Sequence, residues 1–158
     1  MPKSTMSTTL NYSPNFDVKK RKVKELKFII FHYTGMKKEN QAITRLTNSK
    51  SKVSSHYLIK NNGEILTLVP DLYVAWHAGV SSWKNYKSIN KYSIGIEISN
   101  PGHEYSYKKF SKEQVKSIIK LSTYLIKKYN IKPNFILGHS DIAPDRKKDP
   151  GEKFPWKY

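Results

Sequence analysis

The sharpest periodic signal in the chain is Ser93-Ile-Gly-Ile-Glu-Ile-Ser99, where Ile94, Ile96 and Ile98 alternate with Gly95, Glu97 and Ser99. Period-two alternation puts the isoleucines on one face of a β-strand. Leu26-Lys-Phe-Ile-Ile-Phe-His-Tyr33 is a run of β-formers of strand length, apolar enough to be buried on both faces and therefore central. His56-Tyr-Leu-Ile-Lys60 and Glu64-Ile-Leu-Thr-Leu-Val69 flank Asn61-Asn62-Gly63, the composition of a tight hairpin, and Pro70 closes the pair. Asn134-Phe-Ile-Leu137 makes a last strand after Pro133. Two segments carry the helical period. Glu39 to Leu46 puts Ala42, Ile43 and Leu46 on one face, and Ser111 with Gln114 forms a capping box that opens a helix to about Asn130. The buried stripe expected there is Val115, Ile118, Ile119, Ser122, Leu125, Ile126 and Tyr129. Strands interleaved with helices predict an α/β single domain with a central mixed, partly parallel β-sheet flanked by helices.

The remaining segments lack periodicity. Residues 1–22 are rich in Ser, Thr, Asn and Lys, with Pro2 and Pro14. They read as an extended, weakly ordered arm without the apolar stretch of a signal peptide, so the folded domain is expected over 23–158. Tyr73 to Lys91 is a long irregular stretch holding Trp76, His77, Gly79, Trp83 and Tyr86, and Gly138 to Tyr158 reads as a loop with Pro144, Pro150, Gly151 and Pro155. Loops of that length in a small domain tend to be functional.

Composition narrows the chemistry. A chain of 158 residues is one domain's worth and can bury a core unaided. With no cysteine, a disulfide scaffold, a thiolate zinc site, an iron–sulfur cluster and a thiol nucleophile are all excluded. Any metal must be held by His and carboxylate. No apolar run reaches membrane-spanning length. The 29 Lys+Arg against 12 Asp+Glu give a charge of +17, which calls for an anionic partner: nucleic acid, an acidic membrane surface or an anionic cell-wall polymer. The lysines are spread through nearly every segment, and no helix-turn-helix, RNP strand, zinc-finger spacing or internal repeat accompanies them, so no specific nucleic-acid binding is expected.

His32 and His139 each follow an apolar β-run, Phe28-Ile-Ile-Phe31 and Phe135-Ile-Leu-Gly138. Neighbouring parallel strands bring such residues together at their carboxyl ends, where α/β sheets bind ligands; the plainer alternative is two histidines that merely close strands. Glu97 stands in an apolar strand, which is costly unless it meets a cation, a metal or firm donors, or unless that face is open to solvent. Asp149 follows His139 by ten residues, locked between Lys148 and Pro150. Two His and one Asp suit a catalytic zinc site with an open fourth position. Asp141 and Asp145 compete as ligands on spacing alone, and Asp141 could equally cap a turn.

His32-Tyr-Thr34, Ser55-His-Tyr57, Ala75-Trp-His-Ala-Gly79, Ser93-Ile-Gly-Ile-Glu-Ile98 and Gly138-His-Ser-Asp-Ile-Ala-Pro-x-Arg-Lys-x-Asp-Pro-Gly151 together resemble the zinc-dependent N-acetylmuramoyl-L-alanine amidases. The likeness is to the AmpD/AmiD-like branch of the superfamily that includes phage T7 lysozyme and the peptidoglycan recognition proteins, with AmiD preferred for its Trp-His-Ala-Gly block. It runs from about Ser13 to Trp156. The resemblance implies one zinc per chain on His32, His139 and Asp149, with Glu97 as the catalytic carboxylate and Lys147 near the scissile carbonyl. It also implies hydrolysis of the amide between the muramic acid lactyl group and the L-alanine of the stem peptide. Ser55 stands where the phage-lysozyme type carries a catalytic Tyr, and Asp149 where that type has Cys; both departures fit the AmpD/AmiD pattern. Trp76, His77, Tyr33 and Arg146 are expected to contact peptidoglycan or muropeptide, with His56 structural and His103 on the surface. The competing expectation is a non-catalytic peptidoglycan-recognition module. Relatives of this kind continue past a position like Tyr158 with a further helix, so the reading is of a catalytic domain cut short after the zinc loop. The expected setting is the periplasm or cell envelope, with cytoplasmic wall recycling as the alternative, and a monomer by default.

Overall fold

The computed structural model describes residues 6–158. In chain order, β1 (Thr9–Leu10) and β2 (Phe16–Asp17) precede β3 (Phe28–Tyr33), and α1 (Glu39–Thr47) leads into β4 (Tyr57–Ile59), β5 (Ile65–Thr67) and β6 (Val74–Ala75). The small hairpin β7 (Ser82–Trp83) and β8 (Tyr86–Lys87) comes before β9 (Ser93–Ile98), followed by α2 (Lys112–Tyr129), β10 (Ile136–Gly138) and α3 (His139–Ile142). Six strands form one sheet in the order β1-β5-β4-β9-β3-β10. Only β4 and β5, the two arms of the expected hairpin, run antiparallel in it. Their turn needs Gly63, whose φ is +87° and where a Cβ would meet the Glu113 carbonyl oxygen at 2.8 Å.

β3 is apolar along most of both faces and β9 along one, because the sheet is covered on both sides. Ile29, Phe31, Ile94, Ile96 and Ile98 pack against Ile118, Leu121 and Leu125 of α2. On the opposite face Phe28 and Ile30 pack with Ala78, Ile89, Leu137 and Ile142, and Leu46 of α1 covers Leu58, Leu66 and Leu68. Register then places the chemistry. His32 of β3 pairs with Glu97 of β9, so the two stand side by side on this second face. Gly138 of β10 pairs with Phe31, which brings His139 beside the carboxyl end of β3.

The α/β fold agrees with the sequence pattern, and four local details differ from it. The buried row of α2 is Gln114, Ile118, Leu121 and Leu125, while Ile119 is 38% exposed; the apolar band is broad enough to hide which of its rows meets the sheet. The last strand is β10, shifted by a 3₁₀ turn over Pro133–Phe135. The loop after it opens with α3. The arm is extended but not weakly ordered. Its first five residues lie outside those described; beyond them, β1 pairs with β5, Ser13 N–H donates to Leu68 O at 2.7 Å, and β2 pairs with β6. The Asn15 side-chain amide donates to Asn48 O and Val53 O at 2.9 and 2.8 Å, and Arg21 is buried. Thr9 and Leu10 are exposed, so main-chain pairing rather than apolar burial orders them.

Candidate active site

Strand ends and one loop bring three donors to a point. His32 Nδ1 lies 3.0 Å from His139 Nδ1, and Asp149 Oδ2 lies 3.0 Å from the first and 3.2 Å from the second. All three side chains are nearly buried. A tetrahedral ion with bonds of about 2.0–2.1 Å has ligand-to-ligand edges of about 3.3 Å, so this triangle matches the face of such a coordination shell. His139 Nε2 donates to Ala78 O at 2.9 Å, which leaves its Nδ1 as a bare lone pair aimed at the same point. The trio could hold a divalent metal ion, and it is the sole such group among the described residues. Asp141 instead accepts the Gly138 N–H at 2.8 Å, capping the turn into α3, and Asp145 is exposed. Burial pushes the His32 imidazole down to about 4, with His139 beside it adding to the shift.

Glu97 lines the same cleft, and its Oε2 is buried with no hydrogen-bond partner. Burial, reinforced by Asp149, pushes this carboxyl well above the ordinary range, against the pull of Lys147 and Arg45. A carboxyl of that kind is suited to exchanging a proton with a bound reactant. The cleft itself is about 450 Å³, and Arg45, Arg146, Lys147 and Lys148 give its rim a cationic character.

The family model for N-acetylmuramoyl-L-alanine amidases matches residues 21–152. This chain belongs to that amidase family. It is 40% identical over 144 residues to the N-acetylmuramoyl-L-alanine amidase AmiD of Escherichia coli, covering 84% of this chain and 51% of AmiD. It is 39% identical over 105 residues to the 1,6-anhydro-N-acetylmuramyl-L-alanine amidase AmpD of Citrobacter freundii, covering 66% and 54%. A solved structure of E. coli AmiD with the substrate anhydro-N-acetylmuramic acid-L-Ala-D-gamma-Glu-L-Lys superposes with a TM-score of 0.77 at 38% identity, covering 84% of this chain and 55% of that one. The chain thus spans about half the length of the curated relatives it matches.

Within this amidase fold the other anticipated residues divide. Tyr33 and Trp76 line the cleft; Tyr33 Oη is 2.9 Å from His103 Nδ1, and Trp76 Nε1 donates to Asp17 at 2.8 Å, tying the cleft wall to the arm. Arg146 turns its guanidinium back onto Ala78 O and Val80 O at 3.1 and 2.7 Å, bracing the loop that carries Asp149 against the 77–80 segment. His77 borders the cleft but is 8% exposed, with both ring nitrogens engaged by His32 and Ser93. His56 is fully buried, and His103 lines the cleft, hydrogen-bonded to Glu152 at 2.9 Å. Sequence reasoning passed over Arg45 and Glu104, which also line it. The signal available for Arg45 was its place on α1 beside Ala42 and Leu46, which line the cleft with it.

Proposed function

We propose that this domain is a zinc hydrolase that cleaves the amide between the lactyl group of N-acetylmuramic acid and the L-alanine of the stem peptide, in peptidoglycan or in released muropeptides. The observation that carries the reading is the buried, unpartnered Oε2 of the half-buried Glu97, in register beside His32 of the candidate metal-binding trio. His32, His139 and Asp149 would hold one zinc through two nitrogens and an oxygen, leaving a position open. When bound, zinc supplies a Lewis acid and lowers the pKa of a water toward about 7. Glu97 takes the proton from the attacking water and returns it to the departing L-alanine nitrogen. Lys147, on the cleft wall, sets its ammonium charge against the negative charge that grows on the carbonyl oxygen, worth about 3 kcal/mol for a donor of this type. Tyr33 and Trp76 offer aromatic surface to sugar or peptide, and Arg146 acts through the loop it braces.

The catalytic set favours this reading over a recognition module, which needs the groove but neither the trio nor Glu97. The sequence likeness covers 84% of the chain for AmiD against 66% for AmpD, whereas a solved AmpD structure superposes over 95% of it; work at the cell envelope is proposed on the sequence likeness, with cytoplasmic recycling as the alternative. No helix among the described residues is long and apolar enough to cross a membrane.

The test pairs metal content with release of stem peptide from purified muropeptides, for the wild type, Glu97→Gln and Lys147→Met. One zinc in all three is expected, with turnover reduced about 10²–10⁴-fold in Glu97→Gln and about 10²-fold in Lys147→Met. Wild-type protein that binds murein but neither holds zinc nor cleaves would make this a recognition module.

A further inference from the structure

Behind His32 runs a chain of hydrogen bonds in which every proton can be placed. Ser93 has a single hydroxyl proton and donates it to Ile89 O at 2.8 Å. Its oxygen, 2.9 Å from His77 Nε2, can therefore only accept, and His77 must carry its proton on Nε2. Among the described residues no carboxylate touches that ring to hold a second proton on it; its partners are Ser93 and His32. A neutral imidazole protonated at Nε2 has a bare Nδ1, and this atom lies 2.9 Å from His32 Nε2. His32 donates there, which leaves its own Nδ1 bare and facing Asp149 and His139. His139 reaches the same state through the next residue, since its Nε2 donates to Ala78 O.

The backbone of this pair is itself fixed. Asn90 Oδ1 accepts the N–H groups of both His77 and Ala78, at 3.2 and 2.8 Å. The His77 ring lies flat on β9 at Gly95, where a Cβ would come within 2.4 Å of its Cγ. Any larger residue at that position would push the ring off His32.

We infer that the His77–Ala78 dipeptide is a single positioning element for both metal-binding histidines: the His77 side chain sets the tautomer and aim of His32, and the Ala78 carbonyl sets those of His139. Ser93, Asn90 and Gly95 hold the element in place. Hydrogen bonds of this kind behind a ligand fix its ring and raise its basicity, and their loss weakens metal binding about 10–100-fold. The inference rests on the metal reading above.

The experiment is a chelator-competition measurement of zinc affinity on the wild type, His32→Ala, His77→Leu and His77→Asn. Leu and Asn have nearly the same shape, but only Asn places an acceptor where Nδ1 stood. His77→Leu should bind zinc about 10–100-fold more weakly than wild type, and His77→Asn should recover most of that loss. Ring-nitrogen NMR of the zinc-loaded wild type should show His77 protonated at Nε2. Unchanged affinity in His77→Leu, equal losses in Leu and Asn (the mark of a packing role), or a proton on His77 Nδ1 would each overturn the inference. Zinc lost in His32→Ala but held at full affinity by His77→Leu sinks this inference and leaves the metal reading standing. A wild type that binds no zinc removes both.

Discussion

His56 is a fully buried imidazole that takes no part in the metal site. Its Nδ1 accepts the Gly95 N–H at 3.0 Å, so its proton sits on Nε2, which donates to Tyr73 O at 2.8 Å. Burial, and then the Arg21 charge, push it from 6.5 down to about 3. The folded-state value lies below the unfolded one. The stability this residue contributes is therefore complete above about pH 6.5 and drains away as the pH falls from there toward 3. His56→Gln, uncharged throughout, should be less stable than the wild type by about 1–2 kcal/mol at pH 7.5 through its lost hydrogen bonds. That gap should narrow between pH 6.5 and 4 in urea unfolding of the two proteins; parallel curves would mean that His56 gains no proton on unfolding. At this scale residue type narrowed the candidates and the family resemblance chose among them: His32 and His139 stand at or just past strand ends and Asp149 in a loop, where they form a trio that could hold a metal, with Glu97 in the same cleft. His77 sits beside a Trp in a glycine-containing loop, a pattern that points to a substrate contact rather than to a partner of His32. No local pattern announces that Gly95, on a different element, leaves room for its ring.

Elements that pattern announces poorly can still carry much of the structure. Arg21, in the arm, donates to Asp71 O, Asn90 O and Ser93 O at 2.8, 2.9 and 2.7 Å and is 7% exposed. Those carbonyls belong to the segment that leads into β6, to the residue that holds the His77 and Ala78 amides, and to the start of β9. Arg21→Met keeps much of the side-chain volume but leaves the carbonyls without their donor, so a loss of about 2–4 kcal/mol is expected. Zinc affinity should fall with it, because Asn90 loses its anchor. Lys24→Met, an exposed neighbour, should stay within about 0.5 kcal/mol of wild type. Urea midpoints of the two variants decide it, and equal midpoints would reduce the arm to a passive strap. The central strands were legible because burial on one or both faces writes itself as alternation or as an apolar run. The two-residue strands β1, β2 and β6 were not, since they are held by backbone pairing to partners distant in sequence and carry no period of their own. The capping box of α2 was readable from Ser111 and Gln114, which exchange hydrogen bonds of 3.1 and 3.0 Å, whereas the row that faces the sheet depended on how the helix is rolled.

At the scale of the whole molecule, the charge of +17 bears on the proposed substrate only once the cleft is located. Lysine spread over the surface suggested an anionic partner without identifying one. The structure adds that Arg45, Arg146, Lys147 and Lys148 gather on the cleft wall, where the acidic residues are Glu97, Glu104 and Asp149. Asp149 is committed to the trio, and Glu97, its carboxyl pushed up by burial, offers little opposing charge. The ligand seen with AmiD carries D-gamma-Glu, whose linkage through the side chain leaves its α-carboxylate free. A polymer bearing many such peptides meets the field of the whole surface, whereas a single muropeptide meets mainly the cleft. Salt separates the two, because the screening length shrinks from about 10 Å at 0.1 M to about 3 Å at 1 M ionic strength. Between those salt concentrations kcat/KM on insoluble peptidoglycan should therefore fall by about tenfold or more, carried by KM, while kcat/KM on a soluble muropeptide falls by a factor of about two to three. Equal salt dependence on both substrates would confine the useful charge to the cleft and leave the remaining lysines without a role in binding the wall.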